Sequence, residues 1–273
     1  MDLRNKAMRG TAVVTGASAG LGRIYADRLA RRGYDLLLVA RRADRLAELA
    51  TELEAQYPIR AEVLVADLGE ARDLDRVATR LGEDEAITCL VNNAGTSTLG
   101  PLSGSKASDE SAMINVNVTA LTRLTVAVLE RFRRLSSGTI VNVGSVLGFH
   151  SLPISAIYSG TKGYVTNFTR GLQEELAGTG IVVQLVAPAA TATDIWDISG
   201  VPLSNLDPDT VMTAGDCVDA SMAGLALGES VTLTSVEDIQ LFSDYETARL
   251  KLLSASQTSR PASRYNLSKQ GTA

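Results

Sequence analysis

Histidine is almost absent from this chain. Among 273 residues there is only His150, so a cluster of imidazole ligands cannot form and no metal site is predicted. Cysteine is scarce as well, since only Cys89 and Cys217 occur and they lack the C-x-x-C spacing of redox or zinc motifs. Two cysteines are too few for a disulfide scaffold, and we therefore expect a reduced, cytoplasmic setting.

Long apolar runs and excess positive charge are also missing. No apolar h-region develops near the N-terminus, and no run of about 18 uncharged apolar residues follows, so we expect a soluble, unprocessed protein without a membrane partner. The formal net charge of −5 provides no general attraction to nucleic acid or to an anionic membrane surface. Neither is predicted as a partner.

Short β-branched runs alternate with segments of helical period as far as about residue 235. This alternation predicts a single-domain α/β fold, with a doubly wound parallel sheet of about seven strands and helices on both faces. Apolar stripes at helical spacing, such as Val165, Phe168 and Leu172, are interpreted as core-facing. The predicted strands lie near residues 11–15, 35–40, 61–66, 88–92, 139–143, 181–186 and 230–234.

The end of the chain differs in composition. Residues 254–273 are rich in Ser, Thr, Gln and Arg and have few large apolar side chains, which is typical of a segment that cannot form a packed element. We therefore predict one domain over residues 1–253 and a flexible tail over residues 254–273.

The first predicted strand leads directly into "TGASAGLG" and then into a helix. Glycines in a strand-to-helix turn let a diphosphate approach the backbone, and the free N-H groups of the helix N-terminus stabilise its charge. The alternative interpretation is a simple turn, while a P-loop is excluded because Arg23 and Ile24 stand where G-K-[S/T] is needed. The predicted dinucleotide contacts here are Gly16, Ser18, Gly20, Leu21 and Gly22.

The second strand ends in "VARR". In a dinucleotide-binding fold this strand end faces the adenosine ribose, where an acidic residue would accept hydrogen bonds from a free 2′-hydroxyl. Arg41 and Arg42 instead offer cationic forks for a 2′-phosphate, which favours NADP(H). The alternative is that the arginines, Arg42 above all, are simply solvated at the start of a helix.

An ordered set of motifs resembles the short-chain dehydrogenase/reductase family in its compact, single-domain branch. The set comprises "TGASAGLG", "ADL" at 66–68, "NNAG" at 92–95, "NV" at 117–118, Ser145 and Tyr158-x-x-x-Lys162. The resemblance implies a Rossmann-type fold, a homodimer or homotetramer, and NADP(H)-dependent interconversion of a small-molecule carbonyl and its alcohol.

The resemblance also assigns roles to single positions. Asp67 and Leu68 match adenine-ring contacts, and Asn93, Ala94 and Gly95 match the turn beside the nucleotide. Asn117 matches the catalytic asparagine that supports the proton relay, with Asn115 as a second candidate, and Lys162 matches the contact to the nicotinamide ribose. The segment over the nicotinamide matches Pro188, Thr191 and Thr193, but Ala189 replaces the usual glycine.

The catalytic residues can also be interpreted from spacing. On a helix Tyr158 and Lys162 share a face, and a nearby cation is expected to lower the pKa of the phenol, which makes Tyr158 a usable acid or base. Ser145 follows a strand, where its hydroxyl can hold the substrate oxygen. The alternative is a capping serine and a packed tyrosine. The small residues 159–161 are interpreted as clearance for the nucleotide.

Rival chemistries share some of these residues. "SGTK" matches the S-x-x-K motif of serine β-lactamases, but the companion S-D-N and K-T-G motifs are missing, and "GSVLG" is not the G-x-S-x-G of a hydrolase. His150 is therefore expected to line or cap the pocket loop. A catalytically silent NADP-binding regulator of the same fold remains the second hypothesis.

A substrate lid is predicted over about residues 190–225. Its apolar side chains favour an apolar substrate, although they can equally pack the lid or an oligomer contact. Between Gly171 and Ala248 there is no lysine or arginine against thirteen Asp and Glu, so a lid cation for a carboxylate or phosphate is missing. We expect a neutral or cationic carbonyl substrate. The apolar lid residues are Ile195, Trp196, Ile198, Val201, Leu203, Leu206 and Met212.

Overall fold

A seven-stranded parallel sheet forms the centre of the protein. The structure, a computed structural model, describes residues 9–265. In chain order the strands are β1 Thr11–Thr15, β2 Asp35–Ala40, β3 Ala61–Val65, β4 Ile87–Asn92, β5 Gly138–Val143, β6 Ile181–Val186, β7 Thr191–Ala192, β8 Met212–Thr213 and β9 Val231–Thr232. The main sheet has the order β3-β2-β1-β4-β5-β6-β9, and β7 pairs with β8 in a separate two-stranded sheet.

Every strand pair in the main sheet is parallel, so the predicted doubly wound fold is confirmed. The predicted bounds of β1, β2 and β6 agree with the structure. The strand order reverses between β1 and β4, and in such sheets ligands bind beside this point, at the carboxyl ends of the strands. The short pair β7–β8 was not predicted because two-residue strands carry no periodicity.

Helices cover both faces of the sheet. Their bounds are α1 Gly20–Arg31, α2 Ala43–Gln56, α3 Ala71–Glu83, α4 Ala107–Ile114, α5 Leu121–Leu135, α6 Ala156–Glu175, α7 Ile195–Ser199, α8 Ala214–Leu227 and α9 Gln240–Ser256. One π-helical segment, Asn115–Ala120, joins α4 to α5. Single 3-10 turns lie at Leu102–Gly104, Val146–Gly148, Leu203–Asn205, Pro208–Thr210 and Ser263–Tyr265.

Two apolar cores result from the alternation of side chains along the strands. Ala12 and Val14 of β1 face one core, which α1, α2 and α8 cover, whereas Val13 faces the other core, which α3, α5 and α6 cover. The stripe predicted on the helix over "YSGTK" contributes Leu172 to the second core, with Phe168 packed against it.

The continuous helical stretch Ala107–Leu135 is long and apolar enough to cross a membrane by length and composition. The core helix of a soluble protein passes the same test. Leu124, Val128 and Phe132 of this stretch are buried in the second core. The prediction of no membrane partner stays a prediction.

Residues from Val236 onward form a second compact unit, separate from residues up to Ser235. Its main element is α9, a 17-residue helix in which no side chain is buried. This helix ends at Ser256, three residues beyond residue 253, and the prediction of one domain over residues 1–253 stays a prediction. The tail prediction for residues 266–273 lies outside the described residues.

Candidate active site

The carboxyl ends of β1 to β6 surround one cleft of about 880 Å³. Seventeen of the nineteen predicted site residues line it, and the exceptions are Gly22 and Asn117. The sequence motifs are far apart along the chain, and the parallel sheet brings them to the same edge. Those that line the cleft are Gly16, Ser18, Gly20, Leu21, Arg41, Arg42, Asp67, Leu68, Asn93, Ala94, Gly95, Ser145, Tyr158, Lys162, Pro188, Thr191 and Thr193.

The glycine-rich turn between β1 and α1 has the geometry of a phosphate cradle. Gly16 has a φ of +67°, and a Cβ atom there would lie 2.8 Å from Asn93 Nδ2. A Cβ atom on Gly22 would collide with the Gly16 carbonyl oxygen, so Gly22 allows close packing and does not line the cleft. The residue before α1, Ala19, provides no side-chain cap, so the first N-H groups of α1 are free to bind an anion. These features fit a dinucleotide diphosphate.

Two arginines lie beside this turn. Arg42 Nε donates to Ser18 Oγ at 3.2 Å, and Arg41 Nη1 lies 3.7 Å from Asp67 Oδ2. Arg42 is thus fixed to the glycine-rich turn rather than simply solvated. Its Nη1 also lies 3.6 Å from Asp194 Oδ2, and Arg45 Nη1 lies 3.1 Å from the same oxygen. Asp194 had no signal in the sequence, because its partners precede it by about 150 residues.

The "NNAG" turn ties two central strands together. Thr15 Oγ1 at the end of β1 accepts hydrogen bonds from the backbone N-H groups of Asn93 and Ala94, both at 3.0 Å. Asn93 Nδ2 donates to the Thr15 carbonyl oxygen at 2.9 Å. These bonds fix the turn at the switch between β1 and β4, on the floor of the cleft.

Ser145, Tyr158 and Lys162 meet at the end of β5. Ser145 follows the strand; its Oγ accepts a hydrogen bond from Leu147 N at 3.1 Å and donates to the Pro188 carbonyl oxygen at 3.4 Å, and it lies close enough to Tyr158 to lower the pKa of the phenol. Tyr158 and Lys162 lie on one face of α6, and Lys162 Nζ lies 5.7 Å from the centroid of the phenol ring. Lys162 Nζ also donates to the Val143 carbonyl oxygen at 2.9 Å. The predicted trio is therefore assembled in one place.

Burial shifts the pKa values of Tyr158 and Lys162. It raises the pKa of Tyr158 to about 12, although the neighbouring Ser145 acts in the opposite direction. Burial lowers the pKa of Lys162 to about 8. We expected Lys162 to lower the pKa of Tyr158, and this was wrong: burial of the phenol raises its pKa more than the neighbouring Ser145 lowers it.

Asn117 lies in the π-helical segment and is buried outside the cleft lining. Its side chain donates to the Thr96 carbonyl oxygen at 2.9 Å and accepts from Thr96 N at 2.9 Å. It also donates to Thr161 Oγ1 at 3.1 Å, which connects it to the turn of α6 between Tyr158 and Lys162. This geometry makes Asn117 a positioning residue, whereas the second candidate, Asn115, lines the cleft.

Two further interpretations of this region were wrong. Residues 159–161 do not line the cleft, because Ser159 and Thr161 are buried and hydrogen-bonded to Ser155 and Asn117, and a Cβ on Gly160 would have no atom within 4 Å. They are not clearance for a nucleotide. His150 is exposed and does not line the cleft.

The segment that follows β6 forms another wall of the cleft. Val146 N donates to the Pro188 carbonyl oxygen at 2.9 Å, and Trp196 Nε1 donates to the Thr191 carbonyl oxygen at 2.8 Å. Ala189, which replaces the usual glycine, does not have a positive φ, so its methyl group causes no backbone strain. The departure from the family pattern therefore does not distort this wall.

Only part of the predicted lid over residues 190–225 lines the cleft. Ile195, Trp196, Ile198 and Leu206 line the cleft, whereas Val201, Leu203 and Met212 do not. Residues 214–225 belong to α8, which packs against α1 through Val218 and Met222 in the first core. The movement of the remaining segment as a lid stays a prediction.

Sequence reasoning missed the wall on the other side of Ser145. Ser108, Ser111 and Ala112 of α4 line the cleft, and with Asn115, already the second candidate for the catalytic asparagine, the two serines recur at helical spacing. That spacing was the available signal, but α4 is too short and too polar to show a conventional apolar stripe. Further cleft residues on this side include Ser97, Leu99, Leu147 and Leu152.

Within residues 9–265, no group of three or more His, Cys, Asp or Glu side chains is placed to hold a metal ion. Both cysteines are buried and free of disulfide bonds.

Comparisons with known proteins identify the family of this chain. The family model for short chain dehydrogenases matches residues 10–199. A very-long-chain 3-oxoacyl-CoA reductase from Anas platyrhynchos is 37% identical over 208 residues, which cover 74% of this chain and 66% of the relative. The chain thus matches slightly less than two thirds of that protein.

Solved structures match over more of their length. A short-chain dehydrogenase from Sphingobium yanoikuyae in complex with NADPH is 41% identical, with a TM-score of 0.90 over 94% of this chain and all of the other. A bulky-bulky ketone specific alcohol dehydrogenase from Comamonas testosteroni is 38% identical, with a TM-score of 0.86 over 94% of this chain and 98% of the other. With the parallel sheet, the glycine-rich turn and the Ser-Tyr-Lys trio, these matches establish that the chain belongs to the short-chain dehydrogenase family of oxidoreductases.

Proposed function

We propose that this protein uses NADP(H) to interconvert a fairly apolar, neutral or cationic carbonyl compound and its alcohol. One observation carries the proposal: the Ser145-Tyr158-Lys162 trio and the glycine-rich turn open into the same cleft. A phenol with a proton to give and a phosphate cradle are both needed for hydride chemistry on a carbonyl, and neither alone would suffice.

Ser145 and Tyr158 have different roles at the carbonyl group of the substrate. The Ser145 hydroxyl holds the substrate oxygen, and Tyr158 gives that oxygen its proton. A bound nicotinamide cofactor supplies the hydride for the carbonyl carbon and is itself oxidised. Because its pKa is about 12, Tyr158 keeps its proton at neutral pH, which suits reduction better than alcohol oxidation. Reduction is therefore the direction that we propose.

The charge beside the glycine-rich turn supports NADP(H) over NAD(H). Arg41 and Arg42 follow the end of β2 and line the cleft, with Arg42 bonded to Ser18 of the glycine-rich turn, where a 2′-phosphate would receive charge-assisted hydrogen bonds. Lys162 lies at the end of the cleft that would hold the nicotinamide. Among the described cleft residues, positive charge is therefore found at both ends of the proposed cofactor site. Arg41→Asp and Arg42→Asp should each weaken NADPH binding by at least tenfold with little effect on NADH. An unchanged NADPH preference in both variants would contradict this assignment.

The substrate side of the cleft supports an uncharged ketone. Apart from Lys162, which is buried against Val143, the residues of this half carry no positive charge within the described part of the chain. An acyl-CoA thioester, as in the name of the Anas relative, carries several phosphate charges that need cationic partners. The name of the Comamonas structure indicates bulky ketones, which agrees with the apolar side chains Trp196 and Ile198.

The test is a substrate panel with purified protein, containing neutral, cationic and anionic ketones and a 3-oxoacyl-CoA, with NADPH oxidation as the readout. Tyr158→Phe should lower the turnover rate at least a hundredfold, because it removes the proton donor. Tyr164→Phe is the matched control, since Tyr164 lies on the same helix and bonds to Thr122. A preference for an anionic substrate would overturn the substrate assignment.

The same variants separate the enzyme from a catalytically silent regulator. The chain has a single tryptophan, Trp196, which lines the cleft and reports NADPH binding through energy transfer to the reduced nicotinamide. If the protein is an enzyme, the Tyr158→Phe variant should still bind NADPH but should lose nearly all turnover of the carbonyl substrate. Binding without turnover of any carbonyl by the unmodified protein would favour the regulator. The cytoplasmic setting and the homodimer or homotetramer remain predictions.

A further inference from the structure

One wall of the substrate half is polar. Its polar residues are Ser97, Ser108, Ser111 and Asn115, which we call the polar wall, and Leu99 and Ala112 also line the cleft on this side. The last three residues lie at positions i, i+3 and i+7 of the helical stretch that begins with α4, and they therefore face the cleft together. Ser108 donates to the Asp109 carboxylate at 3.2 Å, whereas the side chains of Ser111 and Asn115 have no hydrogen-bond partner within residues 9–265.

Ser97 provides an independent observation. It follows the "NNAG" turn, lines the cleft and is only 4% exposed, yet its hydroxyl has no hydrogen-bond partner in the described part of the chain. Because Ser97 lines the cleft, its hydroxyl is open to the cleft, where water or a bound molecule can supply the missing hydrogen-bond partner. The Ser97 hydroxyl thus marks a position where a bound molecule supplies a polar group.

The facing wall is apolar. It consists of Trp196, Ile198 and Leu206 from the segment after β6, which we call the apolar wall. The polar wall follows β4 and the apolar wall follows β6, so they flank the end of β5, where Ser145 lies. Leu99, two residues after Ser97, donates through its backbone N to the carbonyl oxygen of Ser199, the residue after Ile198, at 2.6 Å. A molecule whose carbonyl reaches Ser145 therefore touches a polar wall on one side and an apolar wall on the other.

We propose that the substrate is a bulky, two-faced ketone, with an apolar edge against the apolar wall and, away from the reacting carbonyl, hydroxyl or keto groups that the polar wall binds. The absence of a cation from the polar wall selects neutral polar groups over a carboxylate or phosphate. This inference rests on the proposed carbonyl reduction and specifies its substrate. Hydroxylated ring ketones fit both walls, whereas linear acyl chains leave the polar wall without partners.

The experiment compares α-tetralone with its ring-hydroxylated derivatives, with the hydroxyl at each aromatic position in turn. Dissociation constants come from quenching of Trp196 fluorescence, which needs no turnover, and kcat and KM come from NADPH oxidation. We expect at least one hydroxylated derivative to bind about five- to tenfold more tightly than α-tetralone, which is what one net hydrogen bond contributes. The gain should appear in KM and leave kcat nearly constant.

Ser111→Ala should abolish this preference, because it removes one hydroxyl of the polar wall that is not packed in the core. The matched control is Ser103→Ala, since Ser103 is exposed in the neighbouring 3-10 turn outside the cleft and should leave the preference intact. A second variant, Ile198→Ser, should weaken binding of all derivatives by a similar factor.

Two results would overturn the inference while leaving the proposed function in place. One is that α-tetralone is reduced but no hydroxylated derivative binds more tightly. The other is that the preference survives in Ser111→Ala. If no neutral ketone in the wider panel is bound or reduced, the proposed function fails instead.

Discussion

At the scale of single residues, burial decides how the catalytic pair works. Tyr158 keeps its proton because its phenolate would be removed from water, and Lys162 loses its proton more readily for the same reason. Near neutral pH the phenol is neutral and the ammonium is still mostly charged. The pair therefore combines a proton donor with a cation that titrates close to the physiological range.

This pair predicts the pH dependence of reduction. Tyr158 stays protonated up to about pH 12, so the acid itself does not limit the rate, whereas Lys162 loses its charge as the pH rises through about 8. We expect kcat/KM for NADPH, measured with a saturating ketone, to be constant below pH 7.

Above pH 8 we expect that kcat/KM to fall by roughly tenfold for each pH unit. Returning the enzyme from pH 9.5 to pH 7 should restore full activity, which controls for denaturation. A rate that stays constant through pH 9.5 would show that the charge of Lys162 is not required.

At the scale of secondary-structure elements, ion pairs and buried amides connect parts of the site that the sequence separates. Asp194, in the segment after β7, pairs with Arg42 and Arg45 near the start of α2. A Cβ on Gly20 would approach the Thr193 side chain to 3.2 Å, so this segment also contacts the glycine-rich turn. The wall after β6 is thereby tied to the adenosine end of the cleft.

The ion pairs of Asp194 with Arg42 and Arg45 should slow the release of bound NADPH. Asp194→Asn should increase the dissociation rate of NADPH about two- to fivefold, since exposed ion pairs contribute little individually. Stopped-flow loss of energy transfer from Trp196 measures that rate. Arg45→Gln should have a smaller effect, because Asp194 keeps its pair with Arg42, and the double variant should release NADPH no faster than Asp194→Asn alone.

The control is Asp197→Asn, in α7, where the carboxylate is exposed and does not line the cleft. Equal release rates in Asp194→Asn and Asp197→Asn would show that the ion pairs do not hold the cofactor.

A buried amide ladder supports the catalytic edge from below. Asn92 Nδ2 of β4 donates to Asn142 Oδ1 of β5 at 2.9 Å, and Asn142 Nδ2 donates to Thr169 Oγ1 of α6 at 3.0 Å. Asn142 is fully buried. It thus connects the helix that carries Tyr158 and Lys162 to the centre of the sheet.

Asn142→Ala should destabilise the fold by about 2 kcal/mol, because it removes one buried hydrogen bond each from Asn92 and Thr169, which keep their bonds to Thr125 and Val165, and creates a small cavity. Urea unfolding measures this loss. Asn205→Ala, an exposed change in the 3-10 turn Leu203–Asn205, should stay within about 0.5 kcal/mol of the unmodified protein. A loss below 1 kcal/mol for Asn142→Ala would mean that water replaces the missing amide.

At the scale of the whole molecule, cofactor binding and folding are linked because the cleft is assembled from six strand ends. A ligand that binds only the folded state at about 100 times its Kd stabilises that state by about 2.7 kcal/mol. For a protein of this size we expect NADPH to raise the melting temperature by roughly 5–10 °C.

NADH at the same concentration should raise the melting temperature much less, and Arg42→Asp should remove most of the difference between the two cofactors. Differential scanning fluorimetry measures the shifts, with adenosine monophosphate as the control ligand. Equal shifts with both cofactors in the unmodified protein would contradict the NADP(H) preference.

The sequence by itself determined the parallel sheet, because apolar β-branched runs such as those of β1, β2 and β6 are local signals of buried strands. It also located Ser145, Tyr158 and Lys162, since these residues follow one strand or share one helix face. Only the tertiary structure decided the direction of the Tyr158 pKa shift, because that shift depends on how much protein surrounds the phenol. The ion pairs of Asp194 were likewise invisible, since they depend on contacts between distant segments, and the spacing of the α4 serines did not show which side of that short helix faces the cleft.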